Sequence, residues 1–103
     1  MEEKIKSDLQ SAQLRKDGLT VSTLRLLLSE IHNTKIAKGL TLSVKGADLS
    51  DEDIIKVIQR EVKKRKEAAG GFRNGGREDQ AAKEDEEAKT LIKYLPEQQK
   101  IRC

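Results

Sequence analysis

The sequence predicts an all-α fold: a small bundle of about four helices joined by short loops, with no sheet. Three observations predict it. Apolar residues recur at helical rather than alternating spacing. Start and stop signals bracket each of those runs. The one alternating stretch, Thr41-Leu42-Ser43-Val44, is too short to stand as a strand. Short connections then imply antiparallel neighbours, and amphipathic stripes must pack together because isolated helices of this length are marginal in water.

The first helix is expected from about Glu2 to Asp17, with Ile5, Leu9 and Ala12 on one stripe and Gly18 as its stop. Thr20 or Ser22 then caps a second helix reaching Lys38 and ended by Gly39. Its stripe is Leu24, Leu27, Leu28 and Ile31; Leu26 and Ile36 lie off it, which predicts a central helix covered on more than one side. Leu40 to Leu49, with Gly46, reads as a loop. Ser50 before Asp51-Glu52-Asp53 is a helix start, a capping hydroxyl followed by carboxylates where the helix dipole favours them. The third helix carries Ile55, Ile58, Val62, Ala69 and Phe72 on its stripe, with Arg65 among them. Gly70-Gly71 is expected to interrupt it, at a cost of roughly 1 kcal/mol per glycine relative to alanine. Gly75-Gly76 makes a turn, and a fourth helix runs from about Glu78 to Leu95 before Pro96 ends it.

The 103 residues fit one domain with a thin aliphatic core, being 35% hydrophobic, 2% aromatic and 38% charged. No apolar run approaches the roughly 20 residues that span a bilayer. Met1-Glu2-Glu3-Lys4 lacks the basic-then-apolar order of a secretory signal, and Cys103, the one cysteine, can form no internal disulfide. The compartment expected on these grounds is the cytosol.

Catalytic chemistry finds little support. His32 is the one histidine and has no cysteine or carboxylate at ligand spacing, so a solvated or half-buried role is preferred. The acidic run Glu84-Asp85-Glu86-Glu87 reads as a solvated face. Gly70, Gly71, Gly75 and Gly76 follow no strand and precede no phosphate-loop lysine, so they are turn residues. No metal, cofactor or small-molecule substrate is expected.

The charge pattern has more content than the net charge of +3. Lys56, Arg60, Lys63, Lys64, Arg65, Lys66, Arg73 and Arg77 are opposed between Ile54 and Arg77 only by Glu61 and Glu67. On a helix, Lys56, Arg60, Lys63 and Lys64 project opposite Ile58 and Val62, forming a track suited to a phosphate backbone. With Phe72 and Tyr94 as the aromatics, base stacking is not expected, so contact would be to backbone and shape. The plainer reading is a solvated face with i,i+4 pairing such as Lys63 with Glu67. Lys63-Lys64-Arg65-Lys66 also has the look of a nuclear import tag, a motif too common to weigh.

Several segments together resemble the YqeY family. They are Ser22-Thr23-Leu24-Arg25-Leu26-Leu27 with Ile31, Ile36 and Gly39; Leu49-Ser50-Asp51-Glu52; and Glu61-Val62-Lys63-Lys64-Arg65. Phe72, Gly76-Arg77-Glu78-Asp79, Lys83-Glu84, Glu87 and Tyr94-Leu95-Pro96 continue the match in family order. Ala68-Ala69-Gly70-Gly71 departs from it. These proteins are stand-alone relatives of the tail domain of the B subunit of glutamine-dependent tRNA amidotransferase. The resemblance implies a helical N-terminal domain over residues 1–98, an unmatched tail at 99–103, and a missing smaller C-terminal helical domain. It further implies a cytoplasmic, non-catalytic accessory module that binds tRNA, with an amidotransferase or aminoacyl-tRNA synthetase as possible partner and no membrane. Any carbon–nitrogen ligase label would be inherited from that association. The positions matching the family and suited to RNA are Arg25, Lys63, Arg65 and Arg77, joined by Lys56, Arg60, Lys64 and Arg73 from the basic track. The alternative is a protein–protein adaptor docking its partner through Glu84–Glu87 or through Leu42 and Val44, without RNA.

Overall fold

Glu2 and Glu3 open helix α1 (Glu2–Leu14), placing carboxylates at the positive end of the helix dipole. The computed structural model describes residues 1–39 and 49–96 of the chain. Among these it has four helices and no strand: α1, α2 (Gly18–Ala37), α3 (Asp51–Asn74) and α4 (Glu78–Ile92). The all-α expectation therefore holds. The expected loop at 40–48, with Leu42, Val44 and Gly46, lies outside the described residues, as do the tail and Cys103. The chain divides into two compact units, Met1–Val57 and the part from Ile58 onward, so α3 contributes to both.

In the first unit α1 packs on α2. Ile5 and Ala12 are buried on α1, and Leu24, Leu27 and Ile31 on α2, with Leu9 and Leu28 half-buried. Each of the fully buried leucines and isoleucines contributes about 1.5–3 kcal/mol on burial. Lys35 Nζ meets Glu2 Oε1 at 2.7 Å, joining the end of α2 to the start of α1, so the two helices run antiparallel. Leu26 and Ile36 are 52% and 55% exposed, which corrects the expectation of a helix covered on several sides. The side of α2 that is buried beyond the predicted stripe holds Thr23 and Lys35, at the same i,i+4 spacing as Ile31.

The α1–α2 junction also differs from expectation. Gly18 does not stop α1; it is the first residue of α2. Helix α1 ends in a Schellman arrangement, with Asp17 N–H donating to Ala12 O at 3.0 Å and Lys16 N–H to Gln13 O at 3.2 Å. Lys16 occupies the left-handed position at φ 58°, normally glycine's. Asp17 then caps α2, its carboxylate accepting from Thr20 N–H at 3.2 Å and from Thr20 Oγ1 at 2.7 Å. One residue closes one helix and opens the next. Gly39, at φ +75°, ends α2 as expected.

Helix α3 starts as predicted, with Asp53 N–H donating to Ser50 Oγ at 3.1 Å. Lys38 Nζ bonds Asp53 at 2.9 Å and holds that carboxyl below its usual range, a solvent-accessible contact within the first unit. The helix passes through Gly70-Gly71 without interruption, because the packing of its flanking turns outweighs the local cost of the two glycines. It ends in a second Schellman arrangement: Arg77 N–H to Phe72 O at 2.7 Å and Gly76 N–H to Arg73 O at 3.1 Å, with Gly76 at φ +76°. In the second unit, Ile58, Val62 and Ala69 of α3 and Ala81, Ala88 and Leu91 of α4 are buried. Helix α4 stops at Ile92, three residues before the predicted end, and Lys93-Tyr94 turn towards a buried Leu95.

Candidate nucleic-acid interface

A helix advances about 100° per residue, so on α3 Arg60, Lys63 and Lys64 fall within an arc of about 100° opposite Ile58 and Val62, while Lys56, about 40° from Arg60, belongs to the first unit. The four side chains are exposed. Lys66 stands on the flank of this face, also exposed. Lys64 Nζ pairs with Glu61 at 3.3 Å. Lys56, Lys63 and Lys66 form no ion pair among the described residues, and the expected Lys63–Glu67 pair is not formed. Lys63 and Lys66 therefore face solvent without a bonded counter-ion.

The remaining candidates are placed differently. Arg65 is 7% exposed and belongs to the interior of the second unit, which corrects its assignment to an RNA-contacting surface. Its Nη1 donates to Glu61 Oε1 at 3.0 Å and to Glu61 O at 3.2 Å, and its Nε lies 3.6 Å from Glu87 Oε2. The physical reason is its place in the apolar stripe, where a guanidinium persists only against buried carboxylates. Arg73, at the last turn of α3, is engaged by Asp85 and by Glu78, the latter at 3.0 Å, and both raise its pKa above the ordinary value. Arg77 is exposed at the N-cap of α4 without a side-chain cap bond, beside Gly76, Glu78, Asp79 and Gln80. Arg25 is exposed on α2 and belongs to the first unit. The structure thus gathers Arg60, Lys63 and Lys64 on one face of the second unit, and excludes Arg65 from it.

The acidic run of α4 is largely absorbed by the fold. Glu87 is buried against Arg65, Asp85 holds Arg73, and Glu86 pairs with Lys89 at 3.2 Å. Glu84 is half-buried, and burial, followed by the charge of Glu87, raises its pKa above the usual carboxylate range. The Glu61–Arg65–Glu87 cluster and the Lys35–Glu2 pair were not foreseen. The signal for both was present: Glu61, Arg65 and Lys35 each sit at i,i+4 from buried or charged members of an apolar stripe.

Among the described residues no three His, Cys, Asp or Glu side chains converge as a metal site needs, and His32 is exposed. No described helix is long and apolar enough to cross a membrane. Fold and surface together define a small α-helical module whose chemically distinctive feature is a cationic helix face. Its family is that of the Yqey-like proteins, to which the chain belongs: the family pattern matches residues 2–101. Among relatives, an uncharacterized protein of Schizosaccharomyces pombe is 36% identical over 94 residues, 90% of this chain and 70% of its own. The protein called altered inheritance of mitochondria protein 41, mitochondrial, is 31% identical over 88% of this chain in Vanderwaltozyma polyspora. Its Kluyveromyces lactis counterpart is 34% identical over 87%. The chain spans 46% and 45% of those two relatives.

The names of these relatives overturn the expected cytosolic location, since they are mitochondrial proteins. A lone cysteine is little suited to a disulfide-stabilised fold. It does not distinguish the cytosol from other reducing compartments.

Proposed function

We propose that this YqeY-like module is a non-catalytic accessory domain that binds tRNA through backbone contacts on the α3 face. The observation that supports this is that Lys63 and Lys66 of the second unit are exposed without ion-pair partners among the described residues, next to Arg60 and Lys64. A cation left facing solvent while neighbouring acids are engaged internally retains its attraction for phosphate. Likeness to the tail domain of the amidotransferase B subunit supports tRNA as the polyanion and a tRNA-modifying or aminoacylating enzyme as the associated partner. The names of the yeast relatives support a mitochondrial setting. The test is fluorescence anisotropy of labelled bulk tRNA with the wild-type chain and with K56Q/R60Q/K63Q/K64Q. Weakening of at least tenfold in the variant is expected; equal affinity removes the α3 face from the proposal.

A second reading, a protein–protein adaptor, has support in Leu14, Leu26 and Ile36, which are 86%, 52% and 55% exposed on α1 and α2. The acidic run favours it less, because Glu87 is buried against Arg65 and Asp85 is held by Arg73. Capture of an amidotransferase or synthetase that survives nuclease treatment would favour the adaptor over the RNA module.

A further inference from the structure

Arg73 of the predicted track is held by two carboxylates of α4 without being buried. Its Nε donates to Glu78 Oε1 at 3.0 Å and its Nη2 donates to Asp85, while the side chain stays 43% exposed. Glu78 and Asp85 are seven residues apart on α4, about two turns, so both present to the same side of that helix. Together with Arg73 they carry a net charge of −1. A guanidinium receives a carboxylate and a phosphodiester with the same planar fork of donors. The two carboxylates therefore compete for the guanidinium with a phosphate oxygen, holding Nε and Nη2, beside exposed Arg77 at the N-cap of α4. Asp79, one residue after Glu78, is exposed and makes no ion pair among the described residues.

We propose that Glu78 and Asp85 form an autoinhibitory contact: they mimic phosphate at Arg73 and withhold it from a nucleic-acid backbone until that backbone displaces them. This rests on the RNA-binding reading above and adds to it a latent phosphodiester site that the chain itself restrains. Glu78 is exposed and Asp85 reaches solvent though half-buried, so displacement requires no unfolding, only exchange of one anion for another.

The experiment titrates labelled bulk tRNA at low salt with wild type, E78Q/D85N, D79N, R73Q and R73Q/E78Q/D85N, with helicity checked by circular dichroism. E78Q/D85N should bind roughly three- to tenfold tighter than wild type, the scale of one added phosphate contact near 0.1 M salt, with a correspondingly steeper salt dependence. The gain should largely vanish in the R73Q background, and D79N should gain much less than E78Q/D85N. No gain in E78Q/D85N while the wild type binds would overturn the autoinhibitory contact and leave the RNA reading standing. An equal gain in the R73Q background, or from D79N, would overturn it too, by showing a general charge effect. Absence of binding by wild type and E78Q/D85N alike would overturn both.

Discussion

Arg65 and Glu61 stand one turn apart on the buried side of α3, and Glu87 approaches the same guanidinium from α4. Removing one member of such a cluster leaves uncompensated buried charge, whereas replacing all of it with apolar groups of similar volume does not. R65M is therefore expected to lose about 3–5 kcal/mol of stability in urea denaturation, and E61L/R65M/E87L to recover most of that loss. If the triple variant were no better than R65M, the cluster would not be acting as one electrostatic unit. Beside it, Glu84 feels burial first and the charge of Glu87 second, against weaker opposing effects from Arg65 and Lys83. Its folded-state pKa is raised, so its contribution to stability is complete below the ordinary value of 4.5 and lost as pH rises through the folded pKa. E84Q, which stays neutral, should melt higher than wild type at about pH 7, and the two should converge on acidification to about pH 4. A constant gap across that range would mean that the charge of Glu84 is not responsible.

At the level of the helices, glycine acts in opposite senses at two places on one element. Cβ atoms added at Gly70 or Gly71 meet nothing within 4 Å, and α3 is continuous through both. G70A and G71A should each stabilise the chain by about 0.5–1 kcal/mol. Gly76, at φ +76°, lies in the left-handed region, and G76A should destabilise it by about 1 kcal/mol. Thermal melting of the three variants decides the point; a loss on G70A would show that α3 needs its glycine. Helix identity and most of the buried stripes were legible because Leu24, Leu27 and Ile31, or Ile58 and Val62, repeat at helical spacing. Ser50 and Gly39 announced their ends correctly through side-chain chemistry and backbone freedom. The α1–α2 junction misled because its left-handed residue is Lys16, a residue type that gives no local signal, while Gly18 beside it gives a false one. Asp17 three residues before Thr20 was the available cue. The site was legible as a charge pattern but not as a surface. Spacing alone separates Arg60 and Lys63 from Arg65, whereas the capture of Arg73 by Glu78 and Asp85 depends on how the Gly75-Gly76 turn brings α4 back.

Across the whole chain, a net charge of +3 conceals an uneven distribution. Glu78, Asp85, Glu86 and Glu87 of α4 have ion-pair partners, whereas Lys63 and Lys66 of α3 make no ion pair among the described residues. That asymmetry within a member of the YqeY-like family is what the RNA-binding account rests on. It makes a thermodynamic demand that a solvated, purely structural helix face does not make. Each phosphate neutralised releases condensed counterions, so affinity must fall linearly on a log–log plot against salt, with a slope of about −0.7 to −0.9 per contact. The most direct measurement is the dissociation constant of the wild-type chain for labelled bulk tRNA, by fluorescence anisotropy, across a salt series from about 50 to 200 mM. Three or four phosphate contacts on the α3 face predict a slope of about −2 to −4. Binding that is absent at the lowest salt, or that does not change with salt, would contradict the account.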